Sequence, residues 1–285
     1  GISSSQLNKL SSNQLRAIEN VDLQAMTTSQ VSALTSTNVG YRKSDQIGAL
    51  TENQVGALSL ANLGTTQINN LVASQAKGLT AAQVNALSTN TTVLQTINTT
   101  NLRSLSVNVV GALTSSTLNN LSSTQLQGLT AGQVKSLTTT QLSQLSSSEV
   151  GYLTSAQTAS LSNDQVQALT SGFLQNLSVN GFNGLTATQL GNLSTRAVQG
   201  LTTDQAVALT STTIKGLTSS QLNILTSTAL QAIETADISA LNKTQVNTLS
   251  SSQLNTLGTS QVRAIGTTNL QGLTTSQIAG LSATQ

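Results

Sequence analysis

The chain of 285 residues contains no cysteine, histidine, proline or tryptophan, and aromatic residues make up only 1% of it. The lack of cysteine excludes a disulfide framework and leaves the redox compartment open. Without histidine or cysteine, the chain lacks the commonest general base, the thiol nucleophile and the usual zinc ligands. Serine and threonine are abundant, but a hydroxyl nucleophile needs an activating base. The composition therefore predicts a protein that is not an enzyme and binds no cofactor.

Charge is also scarce, at 7% of residues with a net charge of +2. Nucleic-acid binding needs a row of basic side chains and, for single strands, stacking aromatics, and the chain has neither. No apolar run approaches the length that spans a membrane. We expect no nucleic-acid partner and no membrane insertion. A globule of this length would bury large aromatics, so the low aromatic content predicts a thin aliphatic core.

What the chain has in abundance is a period of eight residues. From Ile97 to Leu281 every eighth residue is Ile or Leu, and the unit between them is roughly Leu-[Ser/Thr]-x-x-Gln-[Leu/Val/Ile]-x-[Ala/Gly/Asn]. We call this unit an octad, number its positions 1 to 8, and call position 1 the marker. A fixed short period is typical of repeat architectures. The sequence predicts one array over 1–285, with phase shifts near 58–63 and 87–97. The abrupt ends at Gly1 and Gln285 suggest a piece of a longer array.

Each octad carries two signals for the start of a helix. Ser or Thr at position 2 and Gln at position 5 form a capping box, and the aliphatics at positions 1 and 6 form a hydrophobic staple. Clear copies of the box are Thr202 with Gln205, Thr218 with Gln221, and Thr274 with Gln277. A helix of about six residues then ends before the next cap. We predict an all-α solenoid of very short helices, about one per octad.

The positions of the charged residues also agree with one short helix in each octad. All nine acids lie at positions 2 to 5, and six of the eleven bases lie at position 7, which is the order favoured by the helix dipole. The bases at position 7 are Arg16, Lys77, Arg103, Lys135, Lys215 and Arg263. Position 8 is mostly Ala or Gly, which allows close approach of backbones and, for Gly, a left-handed cap at the helix C-terminus. Position 5 alternates over 189–229, which indicates two octads per coil.

A β-solenoid is the main alternative, because threonine suits strands and repeated glutamines form ladders. However, positions 1 and 6 have opposite parity, so a flat strand would point one of the two aliphatics outward. Disorder is the other alternative. The regular aliphatics, the near-neutral mean hydropathy and the absence of proline all argue against it.

Two octads carry a pair of acids, Glu19 with Asp22 and Glu234 with Asp237. Carboxylates three residues apart share a helix face, which makes these four residues candidate metal ligands. Calcium takes six to eight oxygen ligands, far more than two carboxylates supply. The pattern therefore favours an acidic capping box, with Glu as the cap.

The octads resemble low-complexity repeat arrays of large bacterial proteins, many of them secreted or surface-associated. The likeness is clearest in Leu129–Val134 and Leu273–Ile278 and covers nearly the whole chain. It implies an extracellular or cell-surface structural role as a rod, stalk or fibre segment. Alternatives are an adhesin-like scaffold that binds a protein or a glycan and, because of the hydroxyl rows, an ice-binding surface. The aliphatic seam at the end of such an array implies self-association end to end.

Overall fold

The computed structural model describes residues 2–60 and 63–282. Within these ranges the chain is all-α and contains no strand, so the β-solenoid alternative is wrong. The longest helix has seven residues. No helix in the described ranges has the length and apolarity needed to cross a membrane. The chain divides into two compact units, residues 1–137 and residues 138–285, which we describe separately.

The first unit consists of sixteen described α-helices joined by one to a few extended residues. They are α1 Ser4–Leu7, α2 Ser12–Ala17, α3 Asn20–Gln24, α4 Thr28–Ser32, α5 Ser36–Gly40, α6 Ser44–Gly48, α7 Glu52–Ala57, α8 Thr65–Asn69, α9 Ala73–Ala76, α10 Ala81–Leu87, α11 Thr91–Leu94, α12 Thr99–Ser104, α13 Val107–Gly111, α14 Ser115–Asn119, α15 Ser123–Gly128 and α16 Ala131–Lys135.

The second unit continues the pattern with α-helices and one 3₁₀ helix. They are α17 Thr139–Ser143, α18 Ser147–Tyr152, α19 Ser155–Ala159, α20 Asn163–Gln167, α21 Ser171–Asn176, α22 Val179–Phe182, α23 Ala187–Asn192, α24 Thr195–Val198, α25 Thr203–Val207, the 3₁₀ helix Ile214–Gly216, α26 Ser219–Asn223, α27 Ser227–Ala232, α28 Thr235–Ile238, α29 Lys243–Asn247, α30 Ser251–Thr256, α31 Thr259–Ala264, α32 Thr267–Leu270 and α33 Thr275–Ala279.

The helices are short because the next N-cap follows so soon. Position 2 has extended backbone angles, as at Thr218 with φ −73° and ψ 159°, and its hydroxyl accepts from the amide of the third helical residue. The preceding marker is extended as well, as at Leu217 with φ −64° and ψ 128°. Two extended residues between most successive helices interrupt the helix before a third turn can form.

The core is a seam of aliphatics from positions 1 and 6. Position 6 is buried in every octad from Leu7 to Leu254, and position 1 is buried from Leu34 to Ile265. Position 6 is occupied by Thr158 in one octad, and a marker is occupied by Arg42 in another. One octad cannot enclose its own two aliphatics, so burial comes from the neighbouring coils.

Most helices pack against the third helical element along the chain, with the 3₁₀ helix counted. In the first unit α12 lies against α15, and in the second unit α18 lies against α21. One coil therefore contains three octads, and the expectation of two octads per coil is wrong. The alternation at position 5 that suggested two reflects only which octads have lost the glutamine.

The first phase shift, between Leu58 and Leu63, shortens one octad to five residues. It lies partly outside the described residues, which omit 61 and 62. Leu60 is buried, and its carbonyl accepts from the amide of Leu63, as a position-6 carbonyl does from the next marker elsewhere. Leu60 thus takes the place of position 6 in the shortened octad.

The second phase shift adds two residues between Leu87 and Ile97. Here α10 runs on to include the marker Leu87, and the N-cap of the next helix moves to Asn90. The extra residues form a turn in which the amides of Ser88 and Thr89 donate to carbonyls of α10. The insertion therefore lies between a marker and its cap, outside the seam.

Candidate functional site

The most regular polar feature of the repeat is the capping box at the start of many helices. In the octad of Leu217, the amide of Thr218 donates to Oε1 of Gln221 at 2.7 Å, and the amide of Gln221 donates to the Thr218 hydroxyl at 3.3 Å. The corresponding distances are 3.2 and 3.2 Å for Thr202 with Gln205. They are 2.8 and 3.2 Å for Thr274 with Gln277. Both halves of the box are thus present at all three positions.

The glutamine half persists where the hydroxyl is missing. The amide of Val72 donates to Oε1 of Gln75 at 3.0 Å, and the amide of Lys43 donates to Oε1 of Gln46 at 3.0 Å. Neither cap residue has a hydroxyl to offer. The glutamine half of the box therefore forms independently of the hydroxyl.

The same glutamine joins its coil to the previous one through its other side-chain atom. Nε2 of Gln221 donates to the carbonyls of Leu190 at 2.8 Å and Leu193 at 2.7 Å. Gln221 is only 1% exposed. One side-chain amide therefore satisfies a helix start with its oxygen and two carbonyls of the preceding coil with its nitrogen, which leaves no part of the buried group unpaired.

The marker that accepts this hydrogen bond is set by the number of octads and not by the number of residues, as a comparison of two glutamines shows. Where the period is regular, Gln54 donates to the marker Met26, 28 residues earlier, at 2.7 Å. Across the five-residue octad, Gln75 donates to the marker Leu50, 25 residues earlier, at 2.7 Å. Each acceptor is the marker three octads back. The hydrogen bond thus keeps three octads in a coil when the chain is shortened.

A second set of hydrogen bonds runs forward from position 7. Arg103 donates through Nε to the carbonyl of Gly128 at 2.8 Å, and Gln231 donates through Nε2 to that of Thr256 at 2.9 Å. Both acceptors lie at position 8, three octads ahead. Arg16 makes the same contact with the carbonyl of Tyr41 at 2.9 Å. Arg16 and Arg103 therefore each have a direct partner in the next coil in addition to their place in the last turn of a helix.

Position 8 brings the backbones of adjacent coils together. A Cβ added to Gly216 would overlap the carbonyl oxygen of Ala187, the first helical residue of α23. A Cβ added to Gly191, at position 7, would lie 2.6 Å from the carbonyl oxygen of Gly216. Close approach is thus the reason for small residues here. The left-handed cap expected for these glycines is wrong, because the one described glycine with positive φ is Gly266, at position 2.

Some octads have replaced the glutamine, and their packing compensates locally. Gly181 occupies position 5 beside the buried Phe182, and its carbonyl accepts from the hydroxyl of Thr158 at 2.6 Å. The small Thr158 at position 6 of one coil is thus followed by the large Phe182 at position 6 of the next coil. Phe173 is also buried, at position 5 of its own octad. The side chains of Phe173 and Phe182 therefore fill the aliphatic seam and expose no aromatic ring face to solvent.

The two acidic pairs do not form capping boxes. Glu19 and Glu234 are N-caps, as the pattern predicts, but neither side chain makes a cap hydrogen bond. The acidic capping box is therefore wrong. Two carboxylates repel each other, and the aspartate at the third helical position is one methylene shorter than glutamine. In the described parts of the chain, no three acidic, cysteine or histidine residues come together where they could hold a metal.

Asp237 and Glu149 are acids that occupy a buried glutamine position, and Asp237 is the more deeply buried of the two. It is 4% exposed, and burial raises the pKa of its carboxyl above the usual value, with the nearby Glu234 raising it further. By the pattern of its neighbours, a glutamine here would donate to the carbonyls of Ala206 and Leu209. A carboxylate cannot donate, so the charged form is unfavourable at this site.

We expect Asp237→Gln to raise the free energy of unfolding by about 1–3 kcal/mol at pH 7, because it removes a buried charge and supplies the missing donor. Since folding raises the pKa of Asp237, the folded state binds the proton more tightly. The cost of the aspartate is thus absent at low pH and develops as the pH rises through the folded pKa. Urea unfolding at pH 7 and at acid pH measures the difference. The exposed Asp204→Asn serves as the control, and an equal gain from both variants would contradict the prediction.

Arg42 is a charged residue at a marker position. It is 4% exposed, and its Nη1 and Nη2 have no hydrogen-bond partner. Burial lowers the pKa of its guanidinium from the usual value. The backbone nevertheless keeps the repeat pattern, because the Arg42 carbonyl accepts from Nε2 of Gln67 at 2.6 Å. The departure from the repeat is therefore confined to the Arg42 side chain.

Replacement of Arg42 by the consensus leucine is expected to stabilise the protein by about 1–3 kcal/mol, the usual cost of an unsatisfied buried polar group. Thermal unfolding followed by circular dichroism measures the gain. Arg196, which is exposed at position 4, provides the control, and Arg196→Leu should change stability by no more than about 0.5 kcal/mol. A loss of stability in Arg42→Leu would show that the guanidinium has a partner in solution.

Two segments of the chain, residues 15–52 and residues 230–267, match the model of the ALTTAQ repeat. The first lies in the first unit and the second in the second unit, and both contain the octads described above. The protein is an α-helical repeat protein. No curated protein matches the chain.

Proposed function

We propose that this repeat protein is a non-enzymatic structural array, a rod, stalk or fibre segment of a bacterial surface or secreted protein. The observation that carries the proposal is the hydrogen bond from position 5 to the marker three octads earlier. It recurs in both units, as from Gln54 to Met26 and from Gln221 to Leu193. Each coil depends on its neighbours alone, so such an array gains length by duplication of coils.

The surface chemistry supports a mechanical role. Positions 3 and 4 are mostly exposed and carry short polar side chains with little charge. Such a surface interacts weakly with salts and polyions. The hydroxyls of position 2 face their own helix amides. The array thus uses the position-2 hydroxyls within its own helices.

Addition of a coil tests the proposal. We expect a tandem duplication of residues 241–264, which are three octads, to lengthen the array by one helix spacing, about 8–10 Å. Because the chain has no cysteine, spin labels on Thr228→Cys and Thr268→Cys report this distance by double electron–electron resonance. The control is an insertion of the same composition with the period scrambled. If both insertions gave the same distance and the same helical circular dichroism, duplication would not be the means of extension.

A scaffold for a protein or glycan is the second candidate. It requires a surface on which non-repeating side chains gather. The phenylalanines that depart most from the repeat, Phe173 and Phe182, are buried and offer no stacking platform for a sugar. Small clefts of about 130 and 230 Å³ lie beside Phe182 and Phe173. A glycan array probed with the labelled protein tests this function directly.

Ice binding needs a flat row of free hydroxyls. The regular hydroxyls here, those of position 2, accept from helix amides, as Thr202 and Thr274 do. The neighbouring exposed positions mix Ser, Thr, Asn, Asp, Ala and Gly. We therefore favour the structural role over ice binding. A measurement of thermal hysteresis tests for ice binding directly.

A further inference from the structure

A cleft of about 130 Å³ in the second unit lies at an octad that has lost its glutamine. Position 5 of the octad of Leu209 is Thr213, and this octad forms the 3₁₀ helix. The Thr213 hydroxyl accepts from the amide of Thr210 at 2.9 Å, as the glutamine oxygen does in other octads. Threonine has no equivalent of Nε2. The octad therefore keeps the hydrogen bond within its own helix and lacks the one that joins two coils.

The next octad shows which carbonyls the missing nitrogen would meet. Nε2 of Gln221 donates to carbonyls 31, 30 and 28 residues earlier, at 2.8, 3.3 and 2.7 Å. The same three steps back from Thr213 lead to residues that all line the cleft: Phe182, Asn183 and Leu185. The cleft is thus the place that the amide nitrogen of a glutamine occupies in the neighbouring octad.

The carbonyls at this place have unused capacity to accept hydrogen bonds. Within the part of the chain that the structure describes, no group donates to the carbonyl of Asn183 or of Leu185. Leu185 is only 2% exposed, so water outside the cleft hardly reaches its carbonyl. Carbonyls that are shielded in this way normally have a donor. The cleft is therefore suited to a group that donates hydrogen bonds.

A second cleft of the same unit has the same relation to a replaced glutamine. It has a volume of about 230 Å³ and lies beside Phe173, which occupies position 5. The residues 30 and 28 positions earlier, Ser143 and Leu145, both line it. No described residue donates to either of their carbonyls. Here the phenylalanine ring takes part of the space, so the cleft beside Thr213 is the better site for a ligand.

The lining of the cleft beside Thr213 selects the class of ligand. No charged side chain lines it, so an ammonium or guanidinium group would be buried without a counter-charge. A carboxylate has no proton to donate to a carbonyl. A primary carboxamide is neutral and has two N–H donors, one for each free carbonyl. The Thr210 hydroxyl also lines the cleft, and its proton can turn toward the amide oxygen.

We propose that the cleft beside Thr213 is a binding site for a primary carboxamide, the group that a glutamine or asparagine side chain of a protein partner carries. The bound group donates to the carbonyls of Asn183 and Leu185, where a glutamine of the chain itself donates in the next octad. The cleft exceeds the roughly 30 Å³ that one water takes in the liquid, so it has room for such a group. This binding function goes beyond the proposed structural role and does not depend on it.

Fluorine NMR tests the proposal with acetamide as the probe. The chain has two phenylalanines, Phe173 and Phe182, and each lines one of the two clefts. Fluorophenylalanine in their place gives two resonances, which Phe173→Leu assigns. We expect acetamide to shift the Phe182 resonance in a saturable way. Acetone has the same shape and heavy-atom count but no N–H, so it should bind at least about tenfold more weakly.

Two variants of Thr213 distinguish the site from a general effect of the solvent. Thr213→Gln supplies the amide from within the chain and should weaken acetamide binding at least about tenfold. Thr213→Ser keeps the hydroxyl that accepts from Thr210 and leaves the cleft open, so it should bind acetamide as the parent chain does. Circular dichroism checks that both variants fold.

Four outcomes would overturn the proposal. They are equal shifts with acetamide and acetone, equal binding by Thr213→Gln and the parent chain, a shift confined to Phe173, and no saturable shift at all, which would mean that the cleft holds water only. None of them bears on the coil-duplication experiment, which measures a distance within the array.

Discussion

Gln221→Glu is expected to lower the free energy of unfolding by about 3–5 kcal/mol at pH 7, because it leaves an uncompensated charge in the seam between coils. The capping box survives, since a carboxylate oxygen still accepts from the amide of Thr218. The lost group is Nε2, which donates to the carbonyls of Leu190 and Leu193. A carboxylate would face these two oxygens without a proton to share.

The pH dependence of this variant separates charge from packing. Burial raises the pKa of a carboxyl, as it does for Asp237, so the folded form of the variant binds a proton more tightly than the unfolded form. Its lost stability should return as the pH falls below the folded pKa, when the protonated carboxyl donates one hydrogen bond. Urea unfolding between neutral and acid pH measures this recovery.

Gln14→Glu is the matched control for this prediction. Gln14 has the same capping box with Ser11, but it is exposed and its Nε2 meets no described carbonyl. We expect its stability to change by no more than about 0.5 kcal/mol. An equal loss in the two variants would show that the glutamine acts only through its own helix.

Gly216→Ala is expected to destabilise the protein by about 3 kcal/mol or more, at the upper end of the costs of overpacking. The added methyl would overlap the carbonyl oxygen, carbonyl carbon and Cα of Ala187. These are backbone atoms of α23, so relief requires that two coils separate. Separation would also strain the hydrogen bonds from Gln221 to the preceding coil. Hydrogen exchange of the amides of 186–193 should show the loss locally.

Gly272→Ala provides the comparison, because it makes the same change at the same octad position. The added methyl would meet side-chain atoms of Lys243 and Asn247. The Lys243 side chain is exposed and moves at little cost. We therefore expect a change within about 1 kcal/mol. If the two variants were equally destabilised, glycine would be needed at position 8 for its backbone freedom and not for space.

The local structure was predictable because the signals lie within eight residues. Ser or Thr at position 2 and Gln at position 5 predict where a helix begins, and the caps at Thr202, Thr218 and Thr274 lie at those points. The burial of positions 1 and 6 also follows from the pattern. The interpretation of Glu19 and Glu234 as acidic capping boxes was wrong, because sequence spacing does not report the repulsion between two carboxylates.

The contact between coils was missed, although a signal for it exists. A capping box is served by Glu as well as by Gln. In this chain position 5 is Gln in most octads and acidic only at Asp22, Glu149 and Asp237. A strong preference for the amide indicates that its nitrogen is also used. The sequence does not identify the carbonyls that accept from this nitrogen. They lie 25 to 31 residues earlier, and which residues they belong to depends on how many octads form a coil.

The repeating unit follows from the amino-acid order alone: a short helix that starts at Ser or Thr and Gln and buries an aliphatic at each end. It does so because caps and staples act between residues a few positions apart. The folded molecule was needed to show that three units form a coil, that Gln221 reaches Leu193, and that Gly216 must lack a side chain. These features depend on the angle and distance at which helices stack, and packing among residues far apart in the chain sets both.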